Sequence, residues 1–155
     1  MNYVQNIRKY LGHQPIILNG SCGLIFNSEG KLLLQQRNEP QKRWGLVGGL
    51  MELGESTKEV MIREIKEESG MTVDVSKLQL LDVYSGRENF AMAPNGDEFY
   101  AVITAYIIRD ITEVPVINDN ESLDFEWYDL NDLPKEIVAD HKIVIDDYKK
   151  KYMAN

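Results

Sequence analysis

The stretch Gly49–Met71, G-L-M-E-L-G-E-S-T-K-E-V-M-I-R-E-I-K-E-E-S-G-M, constrains this chain more than any other. Ser56 is followed three residues later by Glu59, the spacing of a capping box. In that arrangement the hydroxyl accepts from a first-turn N–H and the Glu reaches back to the cap. Gly70 supplies a residue that tolerates φ > 0 just past the end. No Pro or Gly interrupts Thr57 to Ser69. The segment predicts one helix of about three and a half turns, at 3.6 residues per turn. Met61, Ile62 and Ile65 then lie on one side, expected to face a core. Glu64, Glu67 and Glu68 fall at i, i+3 and i+4 and share another side.

Those glutamates repel one another, at about 0.2–0.5 kcal/mol per like-charge neighbour on an exposed helix. Arg63 relieves part of this through Glu59 or Glu67, while Lys66 lies elsewhere on the helical wheel. A solvated acidic face is the ordinary reading of such a run. A hard divalent cation is the other, because Mg²⁺ and its relatives take carboxylate oxygens. One phosphate-loop lookalike fails on charge: Gly49–Ser56 has the G-x4-G-K-[ST] spacing, but Glu55 stands where the Lys would be.

The chain has 155 residues, 43% hydrophobic and 27% charged. That fits a single globular domain over residues 1–155, with 1–12 as an N-terminal helical extension. The net charge of −8 argues against broad attraction to nucleic acid or anionic membranes. A phosphate ligand remains compatible, since a bound metal inverts local electrostatics. The lone Cys22 allows no intrachain disulfide and reads as a buried small hydrophobe. Two histidines and one cysteine are too few for a His/Cys zinc site. No apolar run reaches the ~18 residues of a membrane helix. The first residues lack a signal-peptide core, so the default expectation is cytoplasmic.

In chain order, residues 3–11 form a short helix with Val4, Ile7 and Leu11 on one face. The run from Pro15 to Phe26 and then K-L-L-L-Q-Q-R, joined by the N-S-E-G turn at 27–30, predict a hairpin. Arg37 ends it, either to meet a phosphate or as a surface cation. Residues 78–84 predict a strand. Residues 85–98 predict a loop near the site, since loops carry specificity. Phe99–Arg109 predicts a strand buried on both faces. Asp119–Glu121 is an acidic loop, and 123–130 another strand. Asp132 opens a terminal helix with Ile137, Val138, His141, Val144, Ile145 and Tyr148 on one face. Trp44 and Tyr84, Tyr100 and Tyr106 are aromatics that either stack on a base or fill the core. Strands, a helix, more strands and a last helix make an α/β fold.

The spacing G-x5-E-x7-R-E-U-x-E-E-x-G-U, with U aliphatic, is filled by Gly49, Glu55, Arg63, Glu64, Ile65, Glu67, Glu68, Gly70 and Met71. This resembles the signature of the Nudix (MutT-like) hydrolase family. The resemblance extends over the glycine loop, the flanking strands and W-x-D-L-x-D-L-P, but not the first dozen residues. Val47 departs from it, standing where the family commonly has Pro. The resemblance implies a Nudix-type α/β/α sandwich with a mixed sheet. It also implies Mg²⁺-dependent hydrolysis of a diphosphate bond, with Mn²⁺ able to substitute.

By motif position, Glu64, Glu67 and Glu68 form the metal site, together with the Gly48 carbonyl. Glu64 is either ligand or base, and Arg63 orients the glutamates through an ion pair, with Glu55 as a candidate partner. Some members recruit a further carboxylate from a distant loop. Glu121 is the candidate for that role and Glu98 its competitor. Glu98 and Arg37 are also candidates to contact substrate. The implied substrate is a nucleoside diphosphate linked to another group: a nucleotide sugar, ADP-ribose, a dinucleoside polyphosphate or a (d)NTP. The alternatives are an RNA 5′-end pyrophosphohydrolase and a nucleotide-sensing domain without turnover. Dimerisation is common in the family, which leaves a homodimer open.

Overall fold

A computed structural model describes residues 2–153. Helix α1 (Tyr3–Leu11) starts at a capping box formed by Asn2 and Gln5. Strand β1 (Ile16–Asn27) is the spine of the molecule. It pairs in parallel with β7 (Glu98–Ile111), from Ile16↔Phe99 to Asn27↔Ile111. On its other edge it pairs antiparallel with β4 (Val47–Leu50) over Gly20–Gly23. The expected hairpin shrinks to one residue pair, Phe26↔Leu32. Strand β2 (Leu32–Arg37) turns instead onto β8 (Ser122–Tyr128), which pairs with it along its whole length. The Asn27 side chain builds the turn between β1 and β2, accepting from the N–H groups of Glu29 and Lys31.

The glycine segment is more regular than expected. It holds β3 (Trp44–Gly45), paired with β2, and then β4. Strand β5 (Gln79–Tyr84) pairs antiparallel with β7. Residues 85–98, expected as a loop near the site, fold back as β6 (Phe90–Met92) against the start of β7. The tip of that hairpin is held to the segment after α1 by His13 and Asp97. Only part of β7 is buried on both faces. Residues 104–108 are buried, but Tyr100 is exposed beside Phe90, because neither large helix reaches that end.

Helix α2 (Thr57–Ser69) has the bounds and caps that the sequence predicts. The Ser56 hydroxyl accepts from Glu59 N–H, the Glu59 side chain accepts from Ser56 N–H, and Gly70 sits at φ 74°. Each such cap is worth about 1 kcal/mol. Met61 and Ile65 are fully buried against Ile25, Val47, Tyr106 and Ile108, and Val60 is fully buried as well. Each contributes about 1.5–3 kcal/mol by leaving water.

The opposite face of the sheet packs on α3 (Ala139–Tyr152) through Leu24, Phe26, Leu46, Ile107, Ile145 and Tyr148. The architecture is therefore a mixed sheet between helices. Helix α3 begins at Ala139 rather than Asp132. Pro134 disfavours helix in the residue before it, and the segment's backbone is used elsewhere. Trp44 N–H donates to Glu136 C=O, and Val138 N–H donates to Trp44 C=O.

His141 on α3 accepts a hydrogen bond from Leu46 N–H at 3.0 Å. Burial pushes its imidazole down to about 4; Asp140 opposes the shift, and Arg37 and Arg43 add to it. A folded value below the unfolded one, near 6.5, means the unfolded chain binds more protons in between. This contribution to stability is complete above pH 6.5 and is lost as pH falls towards 4. The slope is about 1.4 kcal/mol per pH unit. Urea titrations at pH 7 and pH 5 should therefore separate wild type from His141→Asn, with the variant showing the flatter pH dependence. Parallel pH dependences would show that the ring is not held neutral.

Candidate active site

Three elements build the site: β4, α2 and the loop before β8. Strand β4 alternates faces, so its two glycines do different jobs. A Cβ on Gly48 would lie 2.2 Å from the Ser21 carbonyl oxygen and 2.8 Å from Cys22 Cα. A Cβ on Gly49 would lie 2.5 Å from the Glu64 carboxylate. Gly48 thus permits the close pairing of β4 with β1, and Gly49 leaves the space that Glu64 occupies. Gly48→Ala should cost about 1–3 kcal/mol by overpacking, lowering the melting temperature by about 3–10 °C. Gly49→Ala should leave melting nearly unchanged, because a side chain can move where backbone cannot. Its turnover should fall by about 100-fold, since misplacing a reacting group by about 1 Å costs that much. Equal melting losses in the two variants would contradict this division.

Arg63 uses every donor it has. Its Nε and Nη2 grip both oxygens of Glu55 at 2.6 and 2.9 Å. Nη1 donates to Glu64 at 2.7 Å and to Glu67 at 3.2 Å. Nη2 also donates to the Leu50 carbonyl at 3.0 Å. The expected relief through Glu59 is absent, because Glu59 is engaged in the cap. Hydrogen bonding to Arg63 lowers Glu55 below the usual carboxylate range and, with Glu55 first among its partners, raises the guanidinium. Glu64 is raised by burial, which outweighs its bond to Arg63.

Glu68 is only 4% exposed. One oxygen accepts from Gly48 N–H at 3.2 Å. Burial first, then the nearby Glu64 carboxylate, push it up to about 9; Asp119 and Glu121 add to the rise. Asp119 and Glu121 come from the loop before β8, and their carboxylates converge with that of Glu68, with ligand atoms within 4.8 Å of one another. This donor set consists of three carboxyl groups and offers only oxygen, which suits Mg²⁺ or Mn²⁺ rather than a softer ion. A buried carboxylate that holds its proton so strongly is one that a cation would relieve.

The sequence-derived candidates are not all brought together. Glu121 reaches Glu68; Glu98 does not. Glu98 begins β7, where its N–H donates to His13 C=O and its carbonyl accepts from Arg8. That is the α1 end of the sheet, so Glu98 lies outside the carboxylate cluster. Glu64 and Glu67 sit beside the cluster, bound to Arg63, and Glu67 is more than half exposed. Arg37 lies at the end of β2, in register with Ser122, and is 3.6 Å from Glu39.

Asp119 was not singled out in the sequence. It belongs to the N-D-N-E run, in which position alone cannot tell which acid turns inward. The tyrosines and Trp44 are engaged within the fold: Tyr106 with Thr57, Tyr84 with Asp147, Tyr100 with Phe90 and Trp44 with Tyr128. Burial raises the Cys22 thiol to about 12, in keeping with an inert core residue. A groove of about 480 Å³ lies away from these groups, between β5 and α3. Its carboxylates are already tied to Lys142, Lys151 and Tyr84.

Residues 19–148 match the NUDIX domain family. The chain belongs to that family, and as a class the protein is a hydrolase of pyrophosphate bonds. It is 35% identical over 149 residues to the ADP-ribose pyrophosphatase of Methanocaldococcus jannaschii, spanning 95% of this chain and 79% of that protein. It is 30% identical over 141 residues to the isopentenyl-diphosphate Delta-isomerase of Klebsiella pneumoniae subsp. pneumoniae, spanning 86% of this chain and 73% of that protein. Among solved structures, it is similar to a MutT NUDIX hydrolase from Burkholderia pseudomallei at a TM-score of 0.68 and 26% identity. That match covers 86% of this chain and 98% of the other. It shares its fold with the NUDIX domain of Shewanella oneidensis NrtR complexed with ADP ribose. There the TM-score is 0.71 at 20% identity, covering 97% and 99% of the two chains. No helix among the described residues is long and apolar enough to cross a membrane.

Proposed function

We propose that the protein hydrolyses ADP-ribose, or a closely similar nucleoside diphosphate linked to a sugar, with Mg²⁺ or Mn²⁺ as cofactor. The observation that carries this reading is the convergence of buried Glu68 with Asp119 and Glu121 from a distant loop. A diphosphate is the chemical feature common to ADP-ribose and isopentenyl diphosphate, the compounds named in two relatives. Of the two, the relative named for ADP-ribose shares more identity and covers more of this chain.

In this reading Glu68, Asp119 and Glu121 would hold the cation, with Glu64, Glu67 and the Gly48 carbonyl as further candidate ligands. When bound, the ion neutralises phosphoryl oxygens and activates water at neutral pH. Glu64, fixed by Arg63 and raised by burial, is the group suited to take the proton from the attacking water. Arg63 keeps Glu64 and Glu67 at fixed positions, and Arg37 is near enough to the acidic loop to meet a phosphate. The water oxygen bonds to one phosphorus, the bridging P–O bond breaks, and a phosphate monoester departs. ADP-ribose would yield AMP and ribose 5-phosphate.

The test is a panel of ADP-ribose, a nucleotide sugar, a dinucleoside polyphosphate, dNTPs, a 5′-triphosphorylated RNA and isopentenyl diphosphate, each with Mg²⁺ or Mn²⁺. Products are identified by mass. ADP-ribose should turn over fastest and give the two monophosphates. Preference for another compound would reassign the substrate, and tight nucleotide binding without product would favour a sensing domain.

A further inference from the structure

The loop 116–121 carries two of the three clustered carboxylates, and those carboxylates repel Glu68. It also lies against the C-terminal end of α2, where the helix dipole is negative. Left to electrostatics alone, the loop would swing out. Two asparagines hold it in.

Asn118 donates from its backbone N–H to Glu68 C=O at 3.3 Å and from Nδ2 to Lys66 C=O at 3.2 Å. Both acceptors lie in the last turn of α2; Lys66 C=O also accepts from Gly70 N–H at 3.0 Å, so Asn118 adds a second donor there. Val116 N–H adds a bond to Ser69 C=O at 2.9 Å. From the other side, Asn38 donates from its backbone N–H to Glu121 C=O and from Nδ2 to Asn120 C=O, both at 2.8 Å. Both residues are exposed, and in these bonds both amides donate to backbone carbonyls rather than to a carboxylate. A Lys or Arg could make similar bonds, but its charge would compete for the acidic oxygens. A neutral amide holds the loop while leaving its charge free for a cation.

We infer that Asn118 and Asn38 are positioning residues that clamp the Asp119–Glu121 turn against α2 and so set the affinity of the cation site. The inference rests on the metal reading given above. It is tested with Mn²⁺ alone, titrated into the metal-free full chain and followed by electron paramagnetic resonance, for wild type, Asn118→Ala and Asn38→Ala.

Each variant should bind Mn²⁺ at least about fivefold more weakly than wild type. In assays, the Mg²⁺ concentration for half-maximal rate should rise while kcat at saturating Mg²⁺ stays near wild type. Melting of the metal-free variants should change little, which separates the clamp from a general loss of fold. Wild-type binding with unchanged affinity in both variants would overturn the inference and leave the metal reading intact. Failure of wild type to bind Mn²⁺ would overturn both.

Discussion

Glu68→Gln should abolish turnover and at the same time stabilise the metal-free protein. The rate loss should be at least about 10³-fold, because charge stabilisation by a bound ion is worth several kcal/mol of barrier. The stability gain has a separate cause. Glu68 is buried, receives one backbone N–H and faces other carboxylates, so its folded value is pushed up to about 9 from an unfolded value of 4.5. A raised carboxyl contributes stability that is complete below pH 4.5 and is lost as pH rises through about 9. At pH 8 the metal-free wild type therefore bears most of that cost, and the neutral amide removes it. Desolvating a polar group on burial costs about 1–3 kcal/mol, and more when it is charged, so the variant should melt about 3–10 °C higher without metal. Added Mg²⁺ should raise wild-type melting and leave the variant unmoved. A variant that is both active and less stable than wild type would remove Glu68 from the cation site.

Arg63→Lys should cost about 10²-fold in rate even though charge is retained. Five N–H donors serve four acceptor groups: Glu55, Glu64, Glu67 and the Leu50 carbonyl. An ammonium has three donors and no fork, so it cannot keep the two-pronged grip on Glu55 and the bond to Glu64 together. The loss should appear in kcat, because Glu64 would be displaced rather than removed. The effects of Glu55→Gln and Arg63→Lys should then fall well short of additive, since either change breaks the same link. Additive losses in the double variant would mean that Glu55 acts independently of the arginine.

Helix α2 could be read from the chain to the residue because its signals are local. The Ser56–Glu59 box, Gly70 and the Met61/Ile65 face all lie within one segment and agree with one another. Arg63 was assigned to the glutamates for the same reason, although its partner at the cap turned out to be occupied. What the sequence could not supply was long-range. Pairing of β2 with β8 rather than β1 is decided by which edge is free once β4 and β7 have taken β1. The true start of α3 depends on Trp44 using the backbone of residues 136 and 138. Spacing along the chain does not say which acid in a loop reaches across to a helix: Asp119 and Glu121 converge with Glu68, whereas Glu98 lies at the α1 end of the sheet. Residues 85–98 look like a free loop until the partner strand is in view.

The carboxylate cluster is split between a helix packed by one face on the sheet and a surface turn held mainly by amide bonds. The two halves can therefore change at different rates over evolutionary time. Substitutions at Val60, Met61 or Ile65 on the buried face of α2 disturb the packing under the sheet, whereas changes at exposed turn positions such as Ile117 and Asn120 cost little folding energy. The outward-facing positions of that turn can then be altered to fit a different leaving group while Asp119, Glu121 and Glu68 stay together.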